Sequence, residues 1–154
     1  AALRKVREML APGRLFAVVE LAGFPRFLPA DAPETAPGLE ERCHAALGHH
    51  HAAHVPHRGA DWGSMPAAAG ITIGGERTLS VSVGPSRTDA VGRYALSSLR
   101  RLRAGAASAL TAEDLTALDR LLDPDGPHSI LRRGDPAART ERTVWAARRS
   151  HRAR

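Results

Sequence analysis

The amino-acid sequence predicts an α/β fold, and three features of the chain point to it. Apolar residues repeat at helical spacing over 3–10, and Pro12-Gly13 then marks a stop and a turn. Leu15 to Val19 is an unbroken apolar run, typical of a strand covered on both faces in a parallel sheet. Thr78 to Val83 alternates apolar and polar residues, which indicates another strand. Helix, turn and strand make half of a crossover unit whose first strand is absent, so we expect the chain to start inside a fold.

Helical periodicity and turn residues organise the rest of the chain. The proline-rich stretch from Phe24 to Pro37 cannot be a continuous helix or a central strand, so we expect a loop. A helix over 38–54 follows, with Glu40 and Glu41 near its positive N-terminal end. Further elements are predicted at 64–69 (helix), 86–103 (helix), 142–147 (strand) and 148–154 (a basic tail that frays).

Two of the predicted helices have a clear apolar face. The helix over 86–103 is expected to bury Val91, Tyr94, Ala95, Leu99 and Leu102. The helix that follows begins at Thr111 as an N-cap, with Asp114 in place of the usual Glu or Gln of a capping box. Its expected buried stripe is Leu115, Leu118, Leu121 and Leu122.

The segment from Ala2 to Glu20, with Pro12-Gly13 at its centre, resembles the helix and fifth strand of class I S-adenosylmethionine-dependent methyltransferases. The turn there is usually Pro-Gly-Gly, and Arg14 stands here in place of the second glycine. Residues 59–62, 68–71 and 141–147 look like the helix before the sixth strand, the turn into that strand, and the seventh strand. The resemblance implies the C-terminal part of a Rossmann-like seven-stranded methyltransferase sheet with flanking helices, formed by residues 1–154 as a single partial domain.

The resemblance also implies S-adenosylmethionine as cofactor, but the sequence lacks the glycine-rich turn that would bind it. The nearest candidate, Gly70 to Gly75, lacks the spacing and does not lie between a strand and a helix. We therefore expect the cofactor-binding N-terminal half to be missing from this chain. The expected activity is methyl transfer to a small-molecule acceptor as part of a larger enzyme, with the fragment inactive alone.

Candidate substrate-binding residues lie on the segment over about 21–70. Ligands in open α/β sheets bind beyond the carboxyl ends of the strands, so Glu20 and the loop 21–26, which ends at Arg26, should face the substrate. Glu20 is either a hydrogen-bond acceptor or weak base for the substrate, or a carboxylate that pins its own loop. Phe24 and Phe27, on a proline-stiffened loop, are expected to form an apolar wall.

The two tryptophans of the sequence, Trp62 and Trp145, have large apolar rings with one polar N–H group each. Trp62 either closes over a substrate or packs into the core, and Trp145 is expected to pack within the last strand.

Six histidines crowd residues 44–57, and two of them are candidate catalytic bases. His50 and His54 are one helical turn apart and extend the face of Leu39, Cys43 and Leu47. A neutral imidazole facing the substrate would be a suitable base near pH 7. The same pair could instead lie on a structural helix or share a metal ion, although no third ligand in a recognised spacing is present.

Charge and composition leave two other functions open. The net charge is +6, and 22 residues are basic, which suggests a basic nucleic-acid-binding module as an alternative. Against it, the arginines are spread over several elements, aromatic residues make up only 4%, and no zinc-finger or RNP pattern occurs. A non-catalytic methyltransferase-like protein is the second alternative.

Cysteine usage and hydropathy bear on the compartment. The single cysteine, Cys43, excludes an internal disulfide framework. The sequence contains no apolar run of the length that a membrane helix needs. From these two observations we expect a soluble cytoplasmic protein with no membrane partner.

Overall fold

The computed structural model describes residues 2–54, 62, 64–84 and 88–149. The helices are α1 (Ala2–Met9), α2 (Leu39–His54), α3 (Ser64–Ala68), α4 (Thr88–Ala106) and α5 (Ala112–Leu122). The strands are β1 (Leu15–Leu21), β2 (Ile71–Val83) and β3 (Ala138–Arg149). Within the described residues, no helix has the length and apolarity required to cross a membrane.

The chain divides into two compact units. The first, the sheet unit, comprises Ala1–Gly23, Gly59–Ser80 and Glu141–Arg154. The second, the helical unit, comprises Phe24–Arg58 and Val81–Thr140. The sheet unit contains α1, β1, α3 and most of β2 and β3, whereas the helical unit contains α2, α4 and α5.

The α/β class is confirmed, but the expected parallel arrangement is wrong. The three strands form an antiparallel sheet in the order β1-β3-β2, and β1 pairs with β3 from Leu15 opposite Arg148 to Leu21 opposite Arg142. Among the described strands, β1 therefore lies at an edge of the sheet.

The expected coverage of β1 on both faces is also wrong. Exposure alternates along the strand, and Leu15, Val19 and Leu21 remain 57%, 61% and 47% exposed. An unbroken apolar run shows only that both faces of a strand are apolar. It does not show that another element covers each face, which is why the sequence misled.

The helical unit holds the larger core. Helices α2, α4 and α5 pack together with the loop that precedes α2. The buried residues of this core are Phe27, Leu28, Ala32, Leu39, Cys43, Leu47, Ala95, Leu99, Leu102, Ala106, Ala117, Leu118, Leu121, Leu122 and Ile130. The predicted buried face of α4 is confirmed except for Tyr94, which is 45% exposed and packs edge-on against Phe27.

The predicted N-cap of α5 is confirmed, and the role of Asp114 is new. The Thr111 hydroxyl accepts the Asp114 backbone N–H at 3.1 Å. Instead of closing a capping box, the buried Asp114 carboxylate accepts the guanidinium of Arg42 in a fork, with Nη2 at 2.7 Å and Nε at 3.1 Å. The Arg42 guanidinium holds the pKa of Asp114 below its ordinary value. This pair joins α2 to the first turn of α5.

Both later strands are longer than the sequence suggested. Strand β2 starts at Ile71 instead of Thr78, and it includes Gly74 and Gly75. Strand β3 ends at Arg149, so the predicted fraying tail does not begin at Arg148. The reason is that both guanidinium groups bond the turn before β1: Arg148 donates to the Gly13 carbonyl at 2.7 Å and Arg149 to the Leu10 carbonyl at 3.4 Å. Residues 150–154 lie outside the described part of the chain.

Candidate functional site

Glu20 is held at the carboxyl end of β1 by a tryptophan. The Trp62 indole Nε1 donates to Glu20 Oε2 at 2.6 Å. Trp145 lies on the same face, because its partner Val18 and Glu20 are two residues apart on β1. The Trp62 and Trp145 rings are 6.3 Å apart at 39°. The structure thus joins Glu20 and Trp62, two predicted substrate residues, and adds Trp145.

This cluster offers one carboxylate beside an aromatic surface. All three side chains are half-buried, so each keeps a solvent-accessible part. Within the described residues, the Glu20 carboxylate accepts this hydrogen bond through Oε2, and a carboxylate has two oxygens that can accept. The site can therefore accept a hydroxyl or amine proton donor while the two indoles pack against an apolar portion of the same molecule.

The remaining predicted substrate residues lie in the helical unit, and one of them is buried. Phe27 is 1% exposed and belongs to the core, so an exposed wall formed by Phe27 is wrong. Phe24 is half-buried and packs against His44, with ring centroids 5.3 Å apart. Arg26 forms an ion pair with Glu41 on the surface. A phenylalanine in a proline-rich loop looks the same in sequence whether it faces a ligand or fills a core.

Sequence reasoning missed the residue that fixes this loop. Glu40 is only 5% exposed, and its carboxylate accepts the backbone N–H of Phe27 at 2.9 Å and that of Leu28 at 2.9 Å. Burial raises the pKa of Glu40, whereas the two amides oppose that shift. The available signal was the helical spacing of Glu40, His44 and Leu47, all of which are buried.

A cleft borders this loop in the helical unit. It has a volume of about 300 Å³. Its walls are Arg26, Leu28, Pro29, Ala30, Ala32, Gly38, Glu40 and Glu41. Arg26 pairs with Glu41, and the Glu40 carboxylate is engaged by backbone amides, so each charged group in the lining already has a partner within the protein.

The structure describes the backbone of the two candidate catalytic histidines but not their side chains. The backbone of His50 and His54 belongs to α2, but their side chains lie outside the described residues. Of the others, His44 is 8% exposed, and its burial, together with nearby Arg26, lowers its pKa to about 4. His44 is therefore neutral at pH 7. The described residues contain no group of histidine, cysteine and carboxylate side chains that could hold a metal ion.

The glycine-rich stretch does not form a cofactor turn. Gly70, with a φ of 71°, closes α3, and Gly74 and Gly75 then lie inside β2. A strand interior does not present converging backbone amides to a phosphate or ribose as a strand-to-helix turn does. The expectation that this stretch does not lie between a strand and a helix is confirmed.

Comparison of the chain with protein-family models, curated proteins and solved structures found no match.

Proposed function

We propose that this chain contributes the substrate side of an S-adenosylmethionine-dependent methyltransferase that acts on a small molecule. The observation that carries the proposal is the strand order β1-β3-β2, with the last strand in the middle and antiparallel. The resemblance identifies these strands as the fifth, seventh and sixth. In that fold the seventh strand lies between the fifth and sixth and runs antiparallel to them. The strand order therefore supports the proposal.

Glu20 is the proposed contact to the methyl acceptor. It stands at the carboxyl end of the proposed fifth strand, which is where ligands bind in open α/β sheets. The Trp62 indole donates to one carboxylate oxygen at 2.6 Å, and in this proposal the other oxygen accepts from the substrate. Glu20 would align a hydroxyl or amine and take up its proton while the methyl group passes to it from the sulfonium sulfur of the donor, which would leave as a thioether.

The basic residues support this proposal over a nucleic-acid-binding module. Four arginines of the helical unit are engaged by carboxylates: Arg26, Arg42, Arg103 and Arg133. Charge that is neutralised within the protein is not available to phosphates, so these residues do not form a dedicated phosphate-binding surface.

The decisive experiment compares this chain with the complete product of its reading frame. Calorimetric titration with S-adenosylmethionine should show stoichiometric binding by the complete product and none by the 154-residue chain. No binding by the complete product would overturn the proposal. Stoichiometric binding by the 154 residues alone would overturn the placement of the cofactor site outside them.

A matched pair of variants tests Glu20 in the complete product, with an acceptor found by screening small molecules for transfer of a labelled methyl group. Glu20→Gln keeps an oxygen for the Trp62 indole but loses the charge, so turnover should fall much more than melting temperature. Glu141→Gln makes the same change at an exposed residue of β3, whose carboxylate accepts the Ser80 hydroxyl at 3.4 Å, and should leave turnover unchanged. Equal losses of turnover and stability in Glu20→Gln would show that Glu20 is only structural.

A further inference from the structure

We propose that the free edge of β1 pairs with β1 of a second copy of this chain. The two strands would run antiparallel about a two-fold axis at Val18, and the two sheets would join into one continuous sheet. This proposal does not rest on the methyltransferase function, and it concerns the 154-residue chain, in which no other described strand covers this edge of β1.

The hydrogen bonds of β1 show which backbone groups face the free edge. The Ala22 N–H donates to the Glu141 carbonyl at 3.1 Å, and the two residues continue the register in which Leu21 opposes Arg142. Bonded and non-bonded pairs alternate in an antiparallel ladder, so even-numbered residues of β1 bond β3. The N–H and C=O groups of Leu15, Ala17, Val19 and Leu21 therefore point away from β3.

An independent contact agrees with this alternation. Ala146 opposes Ala17, so its carbonyl should point away from β1 and toward β2. A Cβ placed on Gly74 of β2 would indeed lie 3.8 Å from the Ala146 carbonyl oxygen. The alternation thus holds on both sides of β3.

The four residues whose backbone groups point away from β3, called the outward residues here, are also the exposed residues of β1. Leu15, Ala17, Val19 and Leu21 are all exposed, and none of them is charged. Natural edge strands usually carry charged side chains, proline or a bulge that prevents pairing. Strand β1 has no proline or bulge, and its one charged residue, Glu20, bonds Trp62. A seven-residue strand with four exposed apolar side chains and backbone groups directed away from β3 is a template for another strand.

The sequence of β1 is complementary to itself in one register. With Val18 on the axis, Leu15 opposes Leu21 and Ala17 opposes Val19, so each outward residue meets another outward residue. A shift of the axis by one residue keeps the hydrogen-bond pattern but leaves one of the four outward residues without a β1 partner. The Val18 register is the only one that pairs all seven residues of the strand.

Charge favours the same partner. In this register Arg14 opposes Ala22 and is the diagonal neighbour of Glu20 on the second copy. Arg14 is exposed and directly precedes Leu15, the first residue of β1. Diagonal neighbours are within reach of long side chains, so two Arg14–Glu20 pairs form across the axis and no like charges oppose each other. The small interface indicates weak, concentration-dependent association.

Cysteine cross-linking tests the register in the 154-residue chain. Two Val18→Cys residues would form a non-bonded antiparallel pair, whose Cα separation of about 4.5 Å permits a disulfide. Ala17→Cys is the control, because it is more exposed but would oppose Val19. With oxidised glutathione, Val18→Cys should form a covalent dimer and Ala17→Cys should not. The unmodified chain is the blank, because Cys43 is 0% exposed.

Sedimentation over micromolar to sub-millimolar concentrations tests the pairing itself. Val19→Pro removes an outward N–H without removing a bond to β3, so the dimer should weaken roughly ten-fold while the monomer stays folded by circular dichroism. Arg14→Glu alone should weaken association, and Arg14→Glu with Glu20→Arg should restore it.

Three results would each overturn the proposal. These are a monomer at every concentration, a cross-link that forms as readily through Ala17→Cys as through Val18→Cys, and a dimer that Val19→Pro leaves unchanged. None of them involves the methyl donor, so they leave the proposed enzymatic function untouched.

Discussion

Removal of the Glu40 carboxylate should destabilise the helical unit far more than its position at a helix start suggests. The carboxylate is the acceptor for the Phe27 N–H at 2.9 Å and the Leu28 N–H at 2.9 Å, and both of those residues are buried. Glu40→Ala leaves two buried donors without a partner. Each costs about 1–3 kcal/mol, so the expected loss of unfolding free energy is about 2–6 kcal/mol.

Glu41→Ala is the matched control, one residue along the same helix. Glu41 is 63% exposed and pairs with Arg26 at the surface, so its loss should cost only about 0–1 kcal/mol. Equilibrium urea unfolding followed by circular dichroism measures both values. Hydrogen exchange adds a local readout, because the Phe27 and Leu28 amides should exchange faster in Glu40→Ala. If Glu40→Ala were no more destabilising than Glu41→Ala, the carboxylate would not be what holds the loop.

Two further predictions concern a glycine and a histidine. Gly70→Ala should lower stability more than Gly13→Ala. Both glycines have φ near 70–75°, a conformation that costs other residues about 1–2 kcal/mol. At Gly70 the new Cβ would also lie 2.8 Å from Arg7 Nε, whereas at Gly13 it would meet nothing within 4 Å. Equal melting temperatures of the two variants would contradict the Arg7 contact. Stability should also fall as the pH drops from 6.5 to about 4, because unfolded His44 binds a proton in that range and folded His44 does not. His44→Leu should flatten this part of the profile of unfolding free energy against pH, and an unchanged slope would assign it to other groups.

The helices and their caps could be predicted because their signals are local. Thr111 caps α5 through its own hydroxyl, Gly70 closes α3, and α4 buries four of the five residues expected from its spacing. Tyr94 differs from the predicted burial because a tyrosine at the margin of a helix face can pack one ring edge on Phe27 while the rest of its side chain stays in solvent.

The sheet direction and the loop fixed by Glu40 could not be predicted, because both depend on residues far apart in the chain. Strand β1 pairs with residues 142–148, and nothing in an apolar run specifies the direction of its partner or the coverage of its faces. Glu40 bonds amides 12 and 13 positions away. A carboxylate near a helix start has a sufficient local explanation in the helix dipole, so the helical spacing of Glu40 with His44 and Leu47 was the one sign of its burial.

At the candidate site, Glu20 and Trp62 were both predicted from the sequence as substrate residues. The structure joins them by a hydrogen bond although they are 42 positions apart. Their hydrogen bond does not decide between the two interpretations of Glu20. The turnover of Glu20→Gln compared with that of Glu141→Gln decides between them.

The two proposals place different strands at the edge of β1, so one experiment can separate them. In a complete methyltransferase sheet, the fourth strand would occupy the backbone groups of Leu15, Ala17, Val19 and Leu21 that a second copy uses in the 154-residue chain. One edge accepts one strand, so the occupants exclude each other. Val18→Cys should therefore cross-link in the 154-residue chain and fail to do so in the complete product of the reading frame. Cross-linking in both would mean that the edge stays free in the larger protein, and the assignment of β1 as a fifth strand would then be wrong.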